Sequence, residues 1–331
     1  MKRKIVVAAD MGWAVGRIHK DLEMRLSHRY DFVFFNSSNC VIQDFVKSAH
    51  DADVVLTTYN LYNDMIRLFS DPAILSKIVM VCHGYPDIVY INRYDHNLRV
   101  KDQYAEDVSN PKKILILRNH HPDLAYPLKA DLNQHITYAV TSDVLLPFFS
   151  NIPKVWVTPN GVDDSHFSYK QRSSVKQLGW CGALVGFKRH SIALTVASRT
   201  KLPLSYASSL SFEALKEWYH TIDILIVTAG PAEYDETGPL PPFEAVVSGC
   251  VVLGFPVGNF QKIPGPRCTS VQDIVDAVHT LQTHPHEFQR LAQEQYAFVK
   301  HHWTMSTLVE EWVKALEASL HTQSMVAQRK N

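Results

Sequence analysis

Short runs of Val, Ile and Leu alternate along this chain with longer stretches whose apolar residues return every three or four positions. The short runs fit strands buried on both faces, and the longer ones fit amphipathic helices. The alternation therefore predicts βα units around parallel sheets. In the first half, strands are expected at residues 4–9, 31–36, 53–58, 78–82 and 136–141, with helices near 16–27, 43–49 and 61–69. Residues 84–131 break the rhythm. They are rich in His, Asn, Asp and Pro, carry one apolar run at 114–117, and read as a functional loop region.

The rhythm restarts in the second half, with strands expected at 155–158, 177–181, 204–207, 223–228 and 250–255. Helices are expected at 189–200, 212–219, 242–248, 271–283, 285–302 and 305–320, before a polar tail (323–331) expected to fray. The fold class this predicts is α/β, with two Rossmann-like doubly wound domains facing a cleft. Their bounds are set at 1–150 and 151–303, leaving 304–331 as a C-terminal helix and tail.

Composition narrows the function classes. Apolar residues make up 46% of the 331 residues, enough for more than one core, and the length favours two domains. Lys+Arg and Asp+Glu both number 33, so there is no overall basic field to hold nucleic acid or an anionic membrane. Any anion site must be local. The five cysteines (Cys40, Cys82, Cys181, Cys250, Cys268) form no Cys-x-x-Cys pair and are expected to be reduced thiols of a cytoplasmic protein. The basic start of the chain leads into an apolar run too short for a secretory signal, and no stretch is apolar for long enough to span a bilayer. The sequon at Asn36 is accordingly expected to stay unmodified.

Candidate chemistry concentrates at Glu236 and Glu244, which have seven residues between them. Glu236 lies on a proline-rich loop. Glu244 is expected in the first turns of a helix that Gly249 closes. Carboxylates grip hydroxyls, while the free N–H groups of a helix start attract an anion. A nucleotide sugar presents both hydroxyls and a diphosphate. The helix dipole alone also favours a first-turn carboxylate, by about 0.3–1 kcal/mol. Lys188 and Arg189 open another predicted helix, where cations are disfavoured unless an anion answers them.

His83 follows an apolar strand, at the end where parallel sheets bind ligands. Gly12 and Gly16 form a Gly-x-x-x-Gly turn after the first strand, suited to an approaching acceptor or phosphate and equally to ordinary turn geometry. Asn160-Gly161 is a turn dipeptide expected to line the cleft. Asp51-Ala52-Asp53 precedes a strand instead of ending one and reads as solvated. His120-His121, His284-x-His286 and His301-His302 lack cysteine or acidic partners at metal-ligand spacing and read as surface residues. No metal site is expected.

Four segments stand out together: Val157-Thr158-Pro159-Asn160-Gly161-Val162-Asp163 followed by Phe167, Gly179-Trp180-Cys181-Gly182 followed by Lys188-Arg189, the stretch from Glu236 to Glu244 with its Ala-Val-Val-Ser-Gly-Cys-Val-Val-Leu-Gly continuation, and Ile78-Val79-Met80-Val81-Cys82-His83-Gly84. As a set they resemble the retaining glycosyltransferases of the GT-B fold, specifically the GT4-type family. They occur in the family's order over residues 78–255, while the first 77 residues match only in pattern. The resemblance implies that Glu244 holds the nucleotide's ribose hydroxyls and that Glu236 faces the transferred sugar. Lys188 and Arg189 would neutralise the diphosphate, with Arg189 at the family's lysine position. Gly182, Gly238 and Asn160 would line the donor site, and His83 would contact the donor sugar or the reacting centre. It also implies that the last helix crosses back to the first domain. One position departs: the family usually has an arginine directly after the glycine equivalent to Gly182, and here Ala183 stands there.

The expected function is transfer of a sugar from a nucleoside diphosphate sugar, UDP- or GDP-linked, to a hydroxyl of a glycan, lipid-linked or other acceptor. The resemblance implies retention of configuration, no metal and no cofactor beyond the co-substrate. The first domain, with Gly12 and Gly16, would receive the acceptor. Peripheral membrane contact and oligomeric state stay open. One rival is a nucleotide-sugar-binding regulator on the same scaffold, with Ala183 as the sign of lost catalysis. The other is an NAD-dependent dehydrogenase, which would need Gly-x-Gly-x-x-Gly where this chain has only Gly12 and Gly16.

Overall fold

The computed structural model describes residues 2–12, 14–36, 39–58, 72–84, 135–184, 188–229 and 236–328. The helix expected at 61–69, nearly all of the irregular segment 84–131 and His120-His121 lie outside them. The chain divides into two units, Met1–Pro159 with Leu308–Asn331, and Asn160–Thr307.

The first unit is built from β1 (Arg3–Ala9), α1 (Ala14–Leu26), β2 (Tyr30–Asn36), α2 (Ile42–Asp51), β3 (Val54–Thr58), α3 (Pro72–Leu75), β4 (Ile78–Cys82), β5 (Thr137–Val140) and β6 (Val155–Val157). Its sheet runs β2-β1-β3-β4-β5-β6, and every pairing is parallel. β3, β4 and β5 are buried along their whole length, which is why they are almost wholly apolar, with only Thr57, Thr58 and Thr137 interrupting. α1 turns Ile18, Leu22 and Leu26 inward at helical spacing. Burying such a side chain is worth about 1.5–3 kcal/mol.

Two expectations are corrected in this unit. The run at 155–158 was placed with the second array, yet β6 pairs with β5, and the break falls at Pro159 instead of residue 150. The Tyr138 N–H donates to the Lys154 carbonyl at 2.8 Å and starts that pairing. Nothing in a three-residue Val-Trp-Val run signals which sheet it will join. The Asp53 carboxylate, read as solvated, accepts the Lys4 N–H at 2.7 Å and anchors the start of β1.

The second unit contains β7 (Leu178–Cys181), α4 (His190–Thr200), β8 (Leu204–Ala207), α5 (Phe212–Tyr219), β9 (Ile224–Val227), α6 (Pro241–Val247), β10 (Val251–Gly254), α7 (Val271–Thr283) and α8 (Pro285–His302). Its parallel sheet runs β10-β9-β7-β8. Leu178, Ile224, Ile226, Val251 and Leu253 pack against Val196 of α4, Ile274 and Val278 of α7 and Phe288 of α8. Local chemistry sets the helix starts. Ser211 accepts the Ala214 N–H, Ser270 and Asp273 form a reciprocal capping box, and Pro285 supplies a first residue that needs no donor. The edge strand β10 is covered by the Gln295 side chain, which takes the Val252 N–H at 2.9 Å and donates to the Val252 carbonyl at 3.0 Å.

The last helix, α9 (Met305–Gln328), starts in the second unit and belongs to the first from Leu308 onward. There the Trp312 indole reaches the Pro159 carbonyl at 3.4 Å, and Arg29 pairs with Glu317 at 2.8 Å. The helix continues to Gln328, through most of the tail expected to fray. No helix among the described residues is long and apolar enough to cross a membrane.

Candidate active site

The second sheet changes direction at β7: the chain passes to β8 on one side and to β9 on the other. The loops leaving the carboxyl ends of β7 and β9 therefore diverge and open a crevice, the place where open α/β sheets bind ligands. Lys188 and Arg189 follow β7, and Glu236 follows β9. A hydrogen-bonded chain joins the two strand ends. The Trp180 indole donates to Thr228 Oγ1 at 2.8 Å, and the Thr228 hydroxyl donates to the Lys188 carbonyl at 2.6 Å.

Lys188 Nζ forms an ion pair with Glu236 Oε1, the two side chains being 16% and 20% exposed. They line a small cavity together with Cys181, Thr228, Pro239 and Pro242. Gly182 packs beside the Lys188 chain, where an added Cβ would stand 3.6 Å from Lys188 Cδ. Arg189 caps α4 in the left-handed conformation, φ 49° and ψ 47°. A non-glycine residue there costs about 1–2 kcal/mol, and such strain concentrates at functional sites.

The Glu236 loop is held through its backbone. The Thr237 carbonyl accepts the Asn259 N–H at 2.8 Å, and the Gly238 carbonyl accepts Asn160 Nδ2 at 3.1 Å. Asn160 thus acts on the loop that carries Glu236. Gly258, at φ 45°, lets the next segment pass under it: a Cβ would fall 2.3 Å from the Thr237 carbonyl oxygen and 2.5 Å from that of Glu236.

Glu244 lies on α6 and is 2% exposed. Its Oε2 accepts the Tyr219 hydroxyl at 2.8 Å. The Cys181 thiol beside them is pushed up to about 12, by burial first and then by the Glu244 charge, so it stays protonated. The expectation that free N–H groups of this helix would face an anion is corrected. Pro241 and Pro242 occupy its first positions and have no N–H, and the N–H groups of Phe243 and Glu244 both reach the Leu240 carbonyl at 3.0 Å.

The first unit holds the other expected residues. The Gly12 N–H donates to Asp10 Oδ1 at 3.0 Å after β1, the strand at which the first sheet changes direction. A Cβ on Gly16 would sit 2.5 Å from Met11 Cα, so that glycine serves the close turn into α1. His83 directly follows β4, and burial lowers its imidazole to about 4. His19, inside α1, is lowered to about 3 by burial and then by His83, and its ring packs edge-on against Trp312. Both rings are neutral near pH 7. His284 lies exposed on its own helical turn, hydrogen-bonded to the Thr280 carbonyl, and His301 and His302 are exposed.

Tyr219, Thr228, Gly258 and Asn259 were not singled out by sequence, and Cys181 was named there only as a thiol within the Gly179-Trp180-Cys181-Gly182 segment. Only Gly258 carried a recognisable signal, as a glycine after a buried strand; the others read as ordinary core or turn residues.

No family model and no curated protein sequence matches this chain. Solved structures do. Anabaena HepE, determined in complex with UDP, superposes with a TM-score of 0.64 at 10% identity, covering 96% of this chain and 100% of that one. AviGT4, a glycosyltransferase involved in avilamycin A biosynthesis, gives 0.59 at 12% identity over 96% and 98% of the two chains. TarM of S. aureus gives 0.55 at 13% identity over 83% of this chain, which spans only 58% of TarM's length. At these identities the likeness is one of fold, and it fixes the class: two parallel-sheet Rossmann-like domains of the GT-B type.

Proposed function

We propose that this protein transfers a sugar from a nucleoside diphosphate sugar to an acceptor hydroxyl. The observation that carries the reading is the pairing of Lys188 with Glu236 at the switch point of the second sheet, with Arg189 next along the chain as the helix cap and buried Glu244 on the adjoining helix. Glu244 accepts hydrogen bonds from the ribose hydroxyls, and Lys188 and Arg189 take the diphosphate. Glu236 then exchanges its partner Lys188 for hydroxyls of the sugar. UDP is the first nucleotide to try, because HepE was determined with it.

In the reaction, the bond between the anomeric carbon and the diphosphate oxygen breaks as negative charge gathers on the leaving group beside Lys188 and Arg189. The acceptor oxygen bonds to the anomeric carbon, and its proton passes to a leaving phosphate oxygen. That route gives retention and asks for no metal, since the two cations supply the neutralising charge; GT4-type membership belongs to the same proposal. His83, at the end of the first sheet, is neutral near pH 7 and brings no full positive charge there. The acceptor, a glycan or lipid-linked hydroxyl, is assigned to the first unit with Gly12 and Gly16.

A second reading, a regulator that binds the nucleotide sugar without turnover, is favoured by Ala183 and by the engagement of Lys188 with Glu236. Incubation with UDP-, GDP-, ADP- and TDP-sugars separates the two. A nucleotide sugar at 100 times its dissociation constant adds about 2.7 kcal/mol of stability. The enzyme reading also expects release of the nucleoside diphosphate. Stabilisation without release supports the regulator, and neither effect from any donor refutes both.

A further inference from the structure

Tyr219 closes α5 with its side chain wholly buried, and its hydroxyl points at the Glu244 carboxylate. A phenol has a single proton to give. At 2.8 Å it goes to the charged Glu244 Oε2, while Cys181 Sγ stands further off at 3.9 Å. The ring is held by edge-on contacts to Phe167, with centroids 6.0 Å apart, and by Trp218 at 5.2 Å.

The backbone is held as well. The Arg172 guanidinium donates to the Tyr219 carbonyl at 2.6 Å and to the Ser248 carbonyl at 2.8 Å, and so clamps the ends of α5 and α6 together. Ser248 in turn donates to the Glu244 carbonyl at 2.8 Å. Phenol and carboxylate therefore meet at one end of a frame whose other end is a single buried cation. A carboxylate has about four acceptor positions, and this frame decides which way the rest of them face.

We propose that Tyr219 is the positioning residue for Glu244, and that the pair makes the site discriminate a ribose from a 2′-deoxyribose donor. The inference rests on the nucleotide-sugar reading above. The phenol fixes the carboxylate in the orientation that meets a vicinal diol. Without the phenol the carboxylate turns, and the contact to the 2′-hydroxyl is lost first. Burial raises the Tyr219 hydroxyl well above its ordinary range, so it remains a donor at neutral pH.

The test compares UDP with 2′-deoxy-UDP on wild type, Tyr219→Phe and Glu244→Gln, with folding checked by circular dichroism. Wild type is expected to prefer UDP by about tenfold, a difference of about 1.4 kcal/mol. Tyr219→Phe keeps the ring and its packing. It should weaken UDP toward the 2′-deoxy value while 2′-deoxy-UDP moves less than about twofold, and donor KM should rise with kcat little changed. Glu244→Gln should abolish the same preference, and the double variant should add little to either. Equal weakening of both nucleotides by Tyr219→Phe, or none, overturns the proposal; so does a wild type that binds both alike. If wild type binds no nucleoside diphosphate at all, the underlying functional reading fails with it. Should Tyr219→Phe not fold, the wild-type preference and its loss in Glu244→Gln decide the question.

Discussion

Replacing Arg189 by glycine separates backbone strain from charge at the candidate site. The residue sits at φ 49° and ψ 47°, where a side chain costs about 1–2 kcal/mol and glycine costs almost nothing. Glycine also gives the unfolded chain more freedom, which takes back about 0.5–1 kcal/mol. The net effect on folding is then between about zero and 1.5 kcal/mol of added stability, a rise of at most about 3–6 °C in melting temperature. Binding moves the other way. Losing a hydrogen bond to a charged diphosphate costs about 1.5–3 kcal/mol, or roughly 10- to 150-fold in affinity. Differential scanning fluorimetry gives the first quantity and titration calorimetry with UDP gives the second. Arg189→Lys is the control, because it keeps both the charge and the strained backbone: its melting point should stay at the wild-type value and its affinity should fall between the other two. A glycine variant that melts well below wild type, or binds UDP as tightly, would refute the assignment of Arg189 to the anion.

Three further outcomes follow from the packing. His19 and His83 have folded values of about 3 and about 4, below the ordinary 6.5, so the unfolded chain takes up protons first as pH falls. Their contribution is complete above pH about 6.5 and is lost on acidification, by up to about 1.4 kcal/mol per pH unit for each ring. His19→Leu should flatten the unfolding free energy measured between pH 4.5 and 6 by up to that slope, and an unchanged slope would show that burial does not hold this ring neutral. Gly258→Ala drives a Cβ against the Glu236 and Thr237 carbonyls from a left-handed backbone, so a loss of roughly 1–3 kcal/mol is expected. Sugar turnover should drop further than UDP affinity, because Glu236 is assigned to the sugar; equal losses would count against that assignment. Arg172→Met withdraws the guanidinium from the carbonyls of Lys170, Tyr219, Ile222 and Ser248. Breaking such a buried cationic hub should cost about 3–5 kcal/mol by chemical denaturation, and a change under about 1 kcal/mol would show that water takes over its role.

Much of the second unit was legible because burial and capping are local signals. β8, α5, α7 and α8 begin and end where the apolar runs, Ser211, Ser270 and Pro285 put them. β6 was assigned to the wrong array because membership of a sheet is decided by a partner strand, which a run of three apolar residues does not encode. At the site, Lys188, Arg189, Glu236 and Glu244 were legible as charged residues at loop and helix entrances. The pairing of Lys188 with Glu236 was not, since 48 positions separate them and only the β7–β9 adjacency brings them together. Tyr219 reads in sequence as one more aromatic on an amphipathic helix; its hydroxyl matters only once Glu244 is seen opposite. The prolines of α6 were visible from the start. Their removal of the very N–H groups a helix start would offer became plain only when the helix began at Pro241 itself.

The most direct test of the central claim is a crystal structure of the protein with UDP, or with whichever nucleoside diphosphate raises its melting point. The nucleotide is expected at the carboxyl ends of β7 and β9, with its diphosphate in hydrogen-bond reach of Lys188 and Arg189 and its ribose on Glu244. Nucleotide bound elsewhere, for instance in the groove lined by Arg267, Asp276 and Arg290 beside α7 and α8, with the crevice at Lys188 and Glu244 empty, would contradict it.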